Sequence, residues 1–466
     1  MHRYQQLASQ LKQQIEANTW RSGEKIPSLR ATSRSFSVSS ATVLQAYQIL
    51  ESEGWIKARP QSGYYVTSRL GIETPQREEA SIRPEYHDEL YAFLKSNTQA
   101  ETALGSAFPS PNLFPIADLN RHLAAAGRKL PAEAIIHNMP PGNEALRRLI
   151  AQRYITEGIN VSHQDIVLTS GAMEALNLSL EAVCEPGDTV IIESPAFYGA
   201  LQAIERLKLK AIEVVVDPET GLCIDSLATA LAENDVKACW LMANFHNPTG
   251  VSLCDEKKRK VIELADQHDV YIVEDDVYSE LYFGDDKPSP IKLWDRNDNV
   301  LLCGSFSKSL CPGYRIGWVV NRALNEKLQK QQMISTLAGS APIQQGVAHY
   351  LQYESYDNHL RKLRKQLSHR LAAFITSIQQ EFPADTVIYE PKGGYFVWLQ
   401  FSQHIDTHKI YQQLCELGIS IGYGQLFSSK QQYQNCMRLN ISFEHSETLS
   451  QAIRQLGILL MEQSNN

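Results

Sequence analysis

From about residue 105 the chain repeats one pattern: a short apolar run, a turn, then a stretch with helical spacing. The runs are Asp165–Thr169, Thr189–Glu193, Ala238–Met242, Val270–Glu274, Asn299–Cys303 and Gly317–Val320. They are apolar throughout rather than alternating, so a strand formed from any of them must bury both faces. A largely parallel sheet with helices on both sides does this, which places residues 105–466 in the α/β class. The pattern predicts a large subdomain over about 135–330. From about 330 it turns to long amphipathic helical stretches and then a mixed region, a smaller α+β subdomain over about 331–466.

Residues 1–70 follow a different rule. Leu7, Ala8, Leu11 and Ile15 have helical spacing, Pro27-Ser28 can start a second helix through Phe36, and Ser40–Glu53 forms a third that Gly54 ends. Trp55–Ala58 and Tyr64–Val66 read as two strands. Three helices and a two-stranded wing make a mostly α winged helix-turn-helix, so the chain is multidomain, as 466 residues require. Residues 71–104 are polar and read as a linker with a short helix near Asp88–Lys95.

Charge divides the chain in the same place. Residues 1–70 hold nine Lys/Arg against four Glu and no Asp, a net +5, which leaves −13 for the rest of a chain whose total is −8. A basic front on an acidic body fits contact with a polyanion through the front alone. No apolar run is long enough to span a bilayer and the start has no signal-peptide core, so a cytoplasmic protein without membrane partners is expected. Eight cysteines with no Cys-x-x-Cys argue against a disulfide framework or a metal site.

In a winged helix-turn-helix the third helix enters the major groove of double-stranded DNA. Its first side chains, Ser39, Ser40, Thr42 and Gln45, are the candidates for base edges. Lys57 and the wing from Arg59 to Gly63 would lie on the backbone or in the minor groove. Glu24-Lys25-Ile26-Pro27-Ser28-Leu29-Arg30, Val38-Ser39-x-x-Thr42-Val43 and Leu50-Glu51-x-Glu53-Gly54 together resemble the GntR-type DNA-binding domain. That resemblance covers nearly all of 1–70 and implies that Arg30 contacts DNA. Many such domains carry an arginine early in the third helix; Ser40 stands there in this chain, so the commonest guanine contact is not made from that position.

The second half carries Asn247-Pro248-Thr249-Gly250, Asp275-x-x-Tyr278, Ser305-Phe306-Ser307-Lys308 and Pro312-Gly313-Tyr314-Arg315, in that order. Together these resemble the fold-type I pyridoxal-phosphate enzymes of the aspartate aminotransferase group, over about 105–466. By that resemblance Lys308 bonds the aldehyde of pyridoxal 5′-phosphate as an imine. Asp275 sits against the pyridine nitrogen, with Asp276 as its rival; the three-residue lead of Asp275 over Tyr278 favours the former. Asn247 and Tyr278 hydrogen-bond the ring hydroxyl oxygen. Phe197 stacks on the ring, with Tyr198 as the alternative. The phosphate is met at a strand-to-helix junction by Ser170, Gly171, Ala172 and Met173 after Thr169, and by Ser305, Ser307 and Arg315. Arg438 matches the arginine that clamps an amino-acid carboxylate, with a structural ion pair as the alternative. His137 stands where the group has a tyrosine that reaches the partner subunit's phosphate.

The whole arrangement resembles the MocR subgroup of GntR-type regulators, a winged helix joined to an aminotransferase-like domain. It implies a head-to-tail homodimer that binds DNA and pyridoxal phosphate. It also implies sensing of an amine, an amino acid or a vitamin B6 form through imine exchange at Lys308. The alternatives are an active aminotransferase with an accessory DNA-binding domain, and a pyridoxal-phosphate reservoir with neither role.

Overall fold

A computed structural model describes residues 3–16, 20, 23–36, 38–59, 63–67, 86–133 and 138–464. The chain forms two compact units, residues 1–78 and 79–466.

In the first unit, helices Arg3–Glu16, Leu29–Ser35 and Ser40–Ser52 precede an antiparallel hairpin of Ile56–Arg59 and Gly63–Val66. The helical stripe Leu7, Leu11 and Ile15 meets Val43, Ala46, Tyr47 and Leu50 over Ile56 and Val66. Ser28 and Ser39 cap the second and third helices, accepting from the amides of Ala31 and Thr42. Gly54 has φ +69°, as a residue just past a helix end requires. The Tyr47 hydroxyl donates to Pro27 O at 2.7 Å and lies 2.7 Å from Thr32 Oγ1, tying the third helix to the start of the second.

The second unit is built on an eight-stranded sheet. Its order is Ile166–Thr169, Gly317–Val320, Val300–Ser305, Tyr271–Asp275, Val236–Leu241, Thr189–Ser194, Lys210–Asp217 and Gly221–Leu222. The five strands from Val300–Ser305 to Lys210–Asp217 are parallel. Gly317–Val320 is antiparallel to both of its neighbours, so Ile166–Thr169 runs in the same direction as those five. The carboxyl ends of these six strands therefore meet along one edge, where such sheets bind ligands. Ile191, Val214, Leu241, Ile272 and Val300 form the sheet's share of a core closed by helices Ile224–Glu233 and Asp255–His268. A second, antiparallel sheet joins Val387–Tyr389, Phe396–Gln400, Cys436–Asn440 and Gly422–Tyr423.

Three sequence expectations change. Lys210–Asp217 is a strand that the search for apolar runs passes over, because Lys210 and Glu213 interrupt it near the sheet's edge. Helix Ala341–Tyr353, expected in the smaller subdomain, packs on Ile116–Gly127 and Glu144–Thr156 instead. The linker expected over 71–104 is folded from residue 86 onward: the short helix expected near Asp88–Lys95 extends over Tyr86–Gln99, and Thr102–Ala103 pairs with Ile419–Ser420. The polar composition of that helix hides one apolar face. Leu90 and Phe93 are buried, and Phe93 meets the rings of Tyr198, Tyr411 and Tyr423.

Phe93→Ala is expected to cost the second unit about 3–5 kcal/mol in urea unfolding, as for a buried aromatic. A loss within about 0.5 kcal/mol, the usual effect of a surface substitution, would return this helix to a solvated linker.

Candidate functional site

Four loops at the carboxyl edge of the large sheet converge on Lys308. It follows strand Val300–Ser305, and Asp275 closes the neighbouring parallel strand. Asn247 follows Val236–Leu241, and Ser170 follows Ile166–Thr169. The Lys308 ammonium donates to the carbonyl of Ala107 at 2.7 Å and lies 5.0 Å from the Phe108 ring and 5.8 Å from the Tyr278 ring. Burial pushes its pKa down to about 7, with Asp275 opposing and Arg438 and Arg315 adding to the effect. Burial pushes Asp275 up to about 7, with Asp276 adding and Lys308 opposing. Of the two acidic candidates, Asp275 has Oδ1 buried without a partner among the described residues. Asp276 has both oxygens taken, by Asn244 Nδ2 at 2.9 Å and Ser279 Oγ at 2.7 Å.

Arg438 is fully buried between the rings of Phe396 and Phe427, 4.3 and 5.1 Å away. Its guanidinium donates to Asn247 Oδ1 at 2.7 Å and to the carbonyl of Gly105, and no carboxylate is bonded to it among the described residues. Its Nε and the amide nitrogen of Asn247 remain without partners among the described residues. Tyr278 is buried against Tyr395, whose hydroxyl donates to Ala107 O at 2.9 Å. Tyr198 turns into the core toward Phe93, which leaves Phe197 as the half-buried ring of the pair.

A second set of donors lies alongside. Gly171 has φ +96°, and a Cβ there would fall 2.2 Å from Arg315 Nη2, so only glycine lets the guanidinium lie over the loop. Helix Ala172–Val183 begins at this point with no side-chain cap, leaving its first amides and dipole facing outward. The exposed Arg315 holds φ +51° and reaches Ser307 Oγ at 3.4 Å. Ser305 Oγ accepts from the Ser307 amide at 2.9 Å, so its hydroxyl is spent on shaping the loop. Ser170, Ala172 and Met173 are half-buried on the same junction.

On the first unit, Arg30, Ser39, Ser40, Gln45, Arg59 and Gly63 are exposed, and Thr42 is half-buried. Ser39 and Thr42 also serve the helix itself: their hydroxyls lie 2.8 Å apart, and Ser39 accepts from the Thr42 amide at 3.1 Å. Arg59 lies 4.3 Å over the Tyr65 ring, which holds it on the wing, and Lys25 bridges to Tyr65 beside it. His137 lies outside the described residues.

Sequence reasoning missed three contributors. The carbonyls of Gly105 and Ala107 carried no signal, since a backbone acceptor has no side-chain signature. Tyr395 reads as one of several aromatic core residues. Glu193 and His246 lie 3.5 Å apart under Asn247, both buried. Burial holds the carboxyl up to about 8 and the imidazole down to about 3, so the pair is close to neutral.

Residues 121–456 match the family described as "Aminotransferase class I and II", and residues 3–66 match "Bacterial regulatory proteins, gntR family". The chain is 45% identical to the HTH-type transcriptional regulator YdcR of Escherichia coli (strain K12), over 99% of this chain and 100% of that protein. It is 35% identical to the HTH-type transcriptional regulator YjiR of the same organism, over 98% of each. Among solved structures, the Pyrococcus horikoshii kynurenine aminotransferase in complex with PMP is similar at a TM-score of 0.75 and 27% identity. That match covers 82% of this chain and 96% of the other.

An ordinary lysine is almost wholly protonated at neutral pH, its pKa being near 10.4. With its pKa pushed down to about 7, Lys308 is far more readily the free amine there. Borohydride trapping of an aromatic aldehyde on Lys308 is expected to rise through pH 7 and level off above about pH 8. A rise only through about pH 10 would contradict this environment for Lys308.

Proposed function

This chain belongs to the GntR-type transcriptional regulators of the MocR kind, which join a winged helix-turn-helix to a class I and II aminotransferase domain, and from that premise we propose that it binds pyridoxal 5′-phosphate at Lys308 and senses an amine, an amino acid or a vitamin B6 form there. The observation that carries the reading is the pairing of a half-buried Lys308, whose ammonium is pushed toward the free amine, with Asp275 Oδ1 and Asn247 Nδ2, two buried polar atoms left without partners among the described residues. Unpaired buried polar atoms are costly unless a ligand satisfies them.

Pyridoxal 5′-phosphate, the cofactor of this aminotransferase class, supplies an aldehyde that condenses with a primary amine and a ring that withdraws electrons. The residues present fit it. Lys308 would hold the aldehyde end and Asp275 would keep the ring nitrogen protonated. Asn247 and Tyr278 would face the ring oxygen, and Phe197 its face. Ser307, Arg315 and the amides after Ser170 would bind the phosphate, with Ser305 shaping the loop. Arg438 would take the carboxylate of an amino-acid effector.

The signal has a route out of the site. Lys308 and Arg438 donate to the carbonyls of Ala107 and Gly105. That segment continues back through Thr102–Ala103 into helix Tyr86–Gln99. A ligand that engages either side chain changes what this segment accepts, and a difference in binding between two geometries is what sensing requires. The regulator would act in the cytoplasm as a head-to-tail homodimer, with His137 reaching the partner's site. The arrangement of two readers on two half-sites suits a symmetric dimer.

A second reading, an active aminotransferase, draws on Arg438, a buried guanidinium with no carboxylate of its own among the described residues. Under it, amino acids and 2-oxoglutarate yield glutamate at ordinary enzyme rates, whereas the sensor yields only trace half-reactions.

Purified protein is expected to form a specific complex with its own upstream DNA at moderate salt. Fluorescence anisotropy that detects none, with or without pyridoxal phosphate, counts against the regulator. Arg30→Ala is expected to weaken that complex about tenfold or more and to leave cofactor binding unchanged; unaltered DNA affinity would remove Arg30 from the interface. Lys308→Ala is expected to abolish the visible absorbance of the cofactor-loaded protein, and a retained, borohydride-reducible adduct would contradict its role.

A further inference from the structure

Lys258 is 1% exposed, on helix Asp255–His268. Its ammonium donates to two neutral acceptors, Asn244 Oδ1 at 2.8 Å and Ser289 O at 2.7 Å, and it forms no ion pair with a carboxylate among the described residues. A buried ammonium without a direct counter-ion is expensive, so its surroundings must return something for it.

Glu274, then Asp276 and Asp255, supply the field that favours the Lys258 cation, and Asp276 is reached through a single amide. With its oxygen taken by Lys258, Asn244 can only present its NH2 group forward. That group donates to Asp276 Oδ1 at 2.9 Å and to Ser289 O at 3.3 Å. Ser279 Oγ donates to the other Asp276 oxygen at 2.7 Å, and the Asp276 amide donates to Cys303 O at 3.0 Å. Lys258, Asn244 and Asp276 thus form an ion pair mediated by one oriented amide.

The positions of these residues matter as much as their charges. Asn244 lies three residues before Asn247. Asp276 lies between Asp275 and Tyr278, and Ser279 follows Tyr278 directly. The Asn244–Asp276 hydrogen bond therefore ties together the two loops that carry Asn247, Asp275 and Tyr278. Among the described residues, none of the three relay residues hydrogen-bonds Lys308, whose ammonium donates to Ala107 O.

We propose that Lys258 is a positioning residue: through Asn244 it orients and charge-balances Asp276, and this relay sets the proton affinity at the cofactor's Lys308 end from behind Asp275. The inference rests on the cofactor reading given above. Around Asp276 the charges are mixed. Lys287 and Lys258 favour its anion, while Asp275, Glu274 and Glu157 oppose it, with the Tyr154 hydroxyl also within its field. Lys308 and Arg438 complete the set on the site's side. Two of these groups, Lys258 and Asp276, have opposite charge and sit on one relay, which separates an electrostatic role from a merely structural one.

The test is a pH titration of visible absorbance in full-length protein loaded with pyridoxal phosphate, comparing wild type with Lys258→Met, Asp276→Asn and the double variant. Removing the cation is expected to raise the midpoint of the spectral transition, and removing the anion to lower it. Each shift is expected to be about half a pH unit, carried through Asp275, on whose carboxyl the Asp276 charge acts. The double variant should return toward the wild-type midpoint. Midpoints that all move the same way, or stay put while cofactor affinity falls, would overturn the relay and leave Lys258 a packing element. Asp276→Asn is isosteric and decides the matter alone if Lys258→Met does not fold. The pH profile of Lys308 trapping by aldehyde in the cofactor-free protein should shift in the same directions. A wild-type protein that shows no trappable visible band marks the failure of the cofactor reading, and the relay falls with it. A wild-type band with unmoved midpoints in the variants overturns the relay alone.

Discussion

The burial of Asp275 beside Lys308 at the carboxyl edge of the parallel sheet is the interaction on which the rest of this site depends. In water a carboxyl group and an amine would both be ionised at neutral pH. Here burial works against each charge and proximity works for it, and the two effects leave both groups near pH 7. That balance makes Lys308 an available nucleophile and leaves Asp275 able to answer a positive charge brought by a ligand. It exists because parallel strands end side by side, so residues far apart in sequence share one low-dielectric edge.

The same edge explains the supporting arrangement. Arg315 lies over Gly171 because no Cβ intervenes. Arg438 has two aromatic faces for company and no carboxylate bonded to it among the described residues, an arrangement that favours an incoming anion over an internal ion pair. The segment 105–108 is the point where these demands meet. Its backbone accepts from Lys308, Arg438, Tyr395 and Asn440. A ligand that draws on the first two must alter the hydrogen bonding of a segment that leads directly into helix Tyr86–Gln99.

Much of this was legible in the residues. Apolar runs located six strands of the large sheet to within two residues, because strands buried on both faces leave an unbroken signature. Val236–Leu241 starts two residues before its run because Lys237 interrupts the apolar stretch. Of the side chains expected around the cofactor, Lys308 lies near Asp275, Tyr278, Arg438 and Arg315, with Asn247 bonded to Arg438 and Ser307 to Arg315. What stayed hidden had physical reasons. Lys210–Asp217 lies near the edge and alternates in burial. Phe93 packs, with Leu90, from a helix that is otherwise rich in polar residues. Gly105 and Ala107 act through carbonyls, which no residue type announces. Lys258 reads as an ordinary helical lysine, and only its burial and the orientation of Asn244 reveal its place. Ser39 and Thr42 show the converse: residue types chosen for base contacts also cap the helix that presents them.

If a ligand at Lys308 and DNA on the winged helix act on one another, the two binding equilibria are linked. Coupling between two binding sites is reciprocal. The affinity of an amine that perturbs the cofactor's visible band should therefore be measured with and without saturating DNA that carries the chain's own binding site. DNA is expected to change the amine's affinity by the same factor by which the amine changes the DNA's. An amine affinity that saturating DNA leaves unchanged would contradict it.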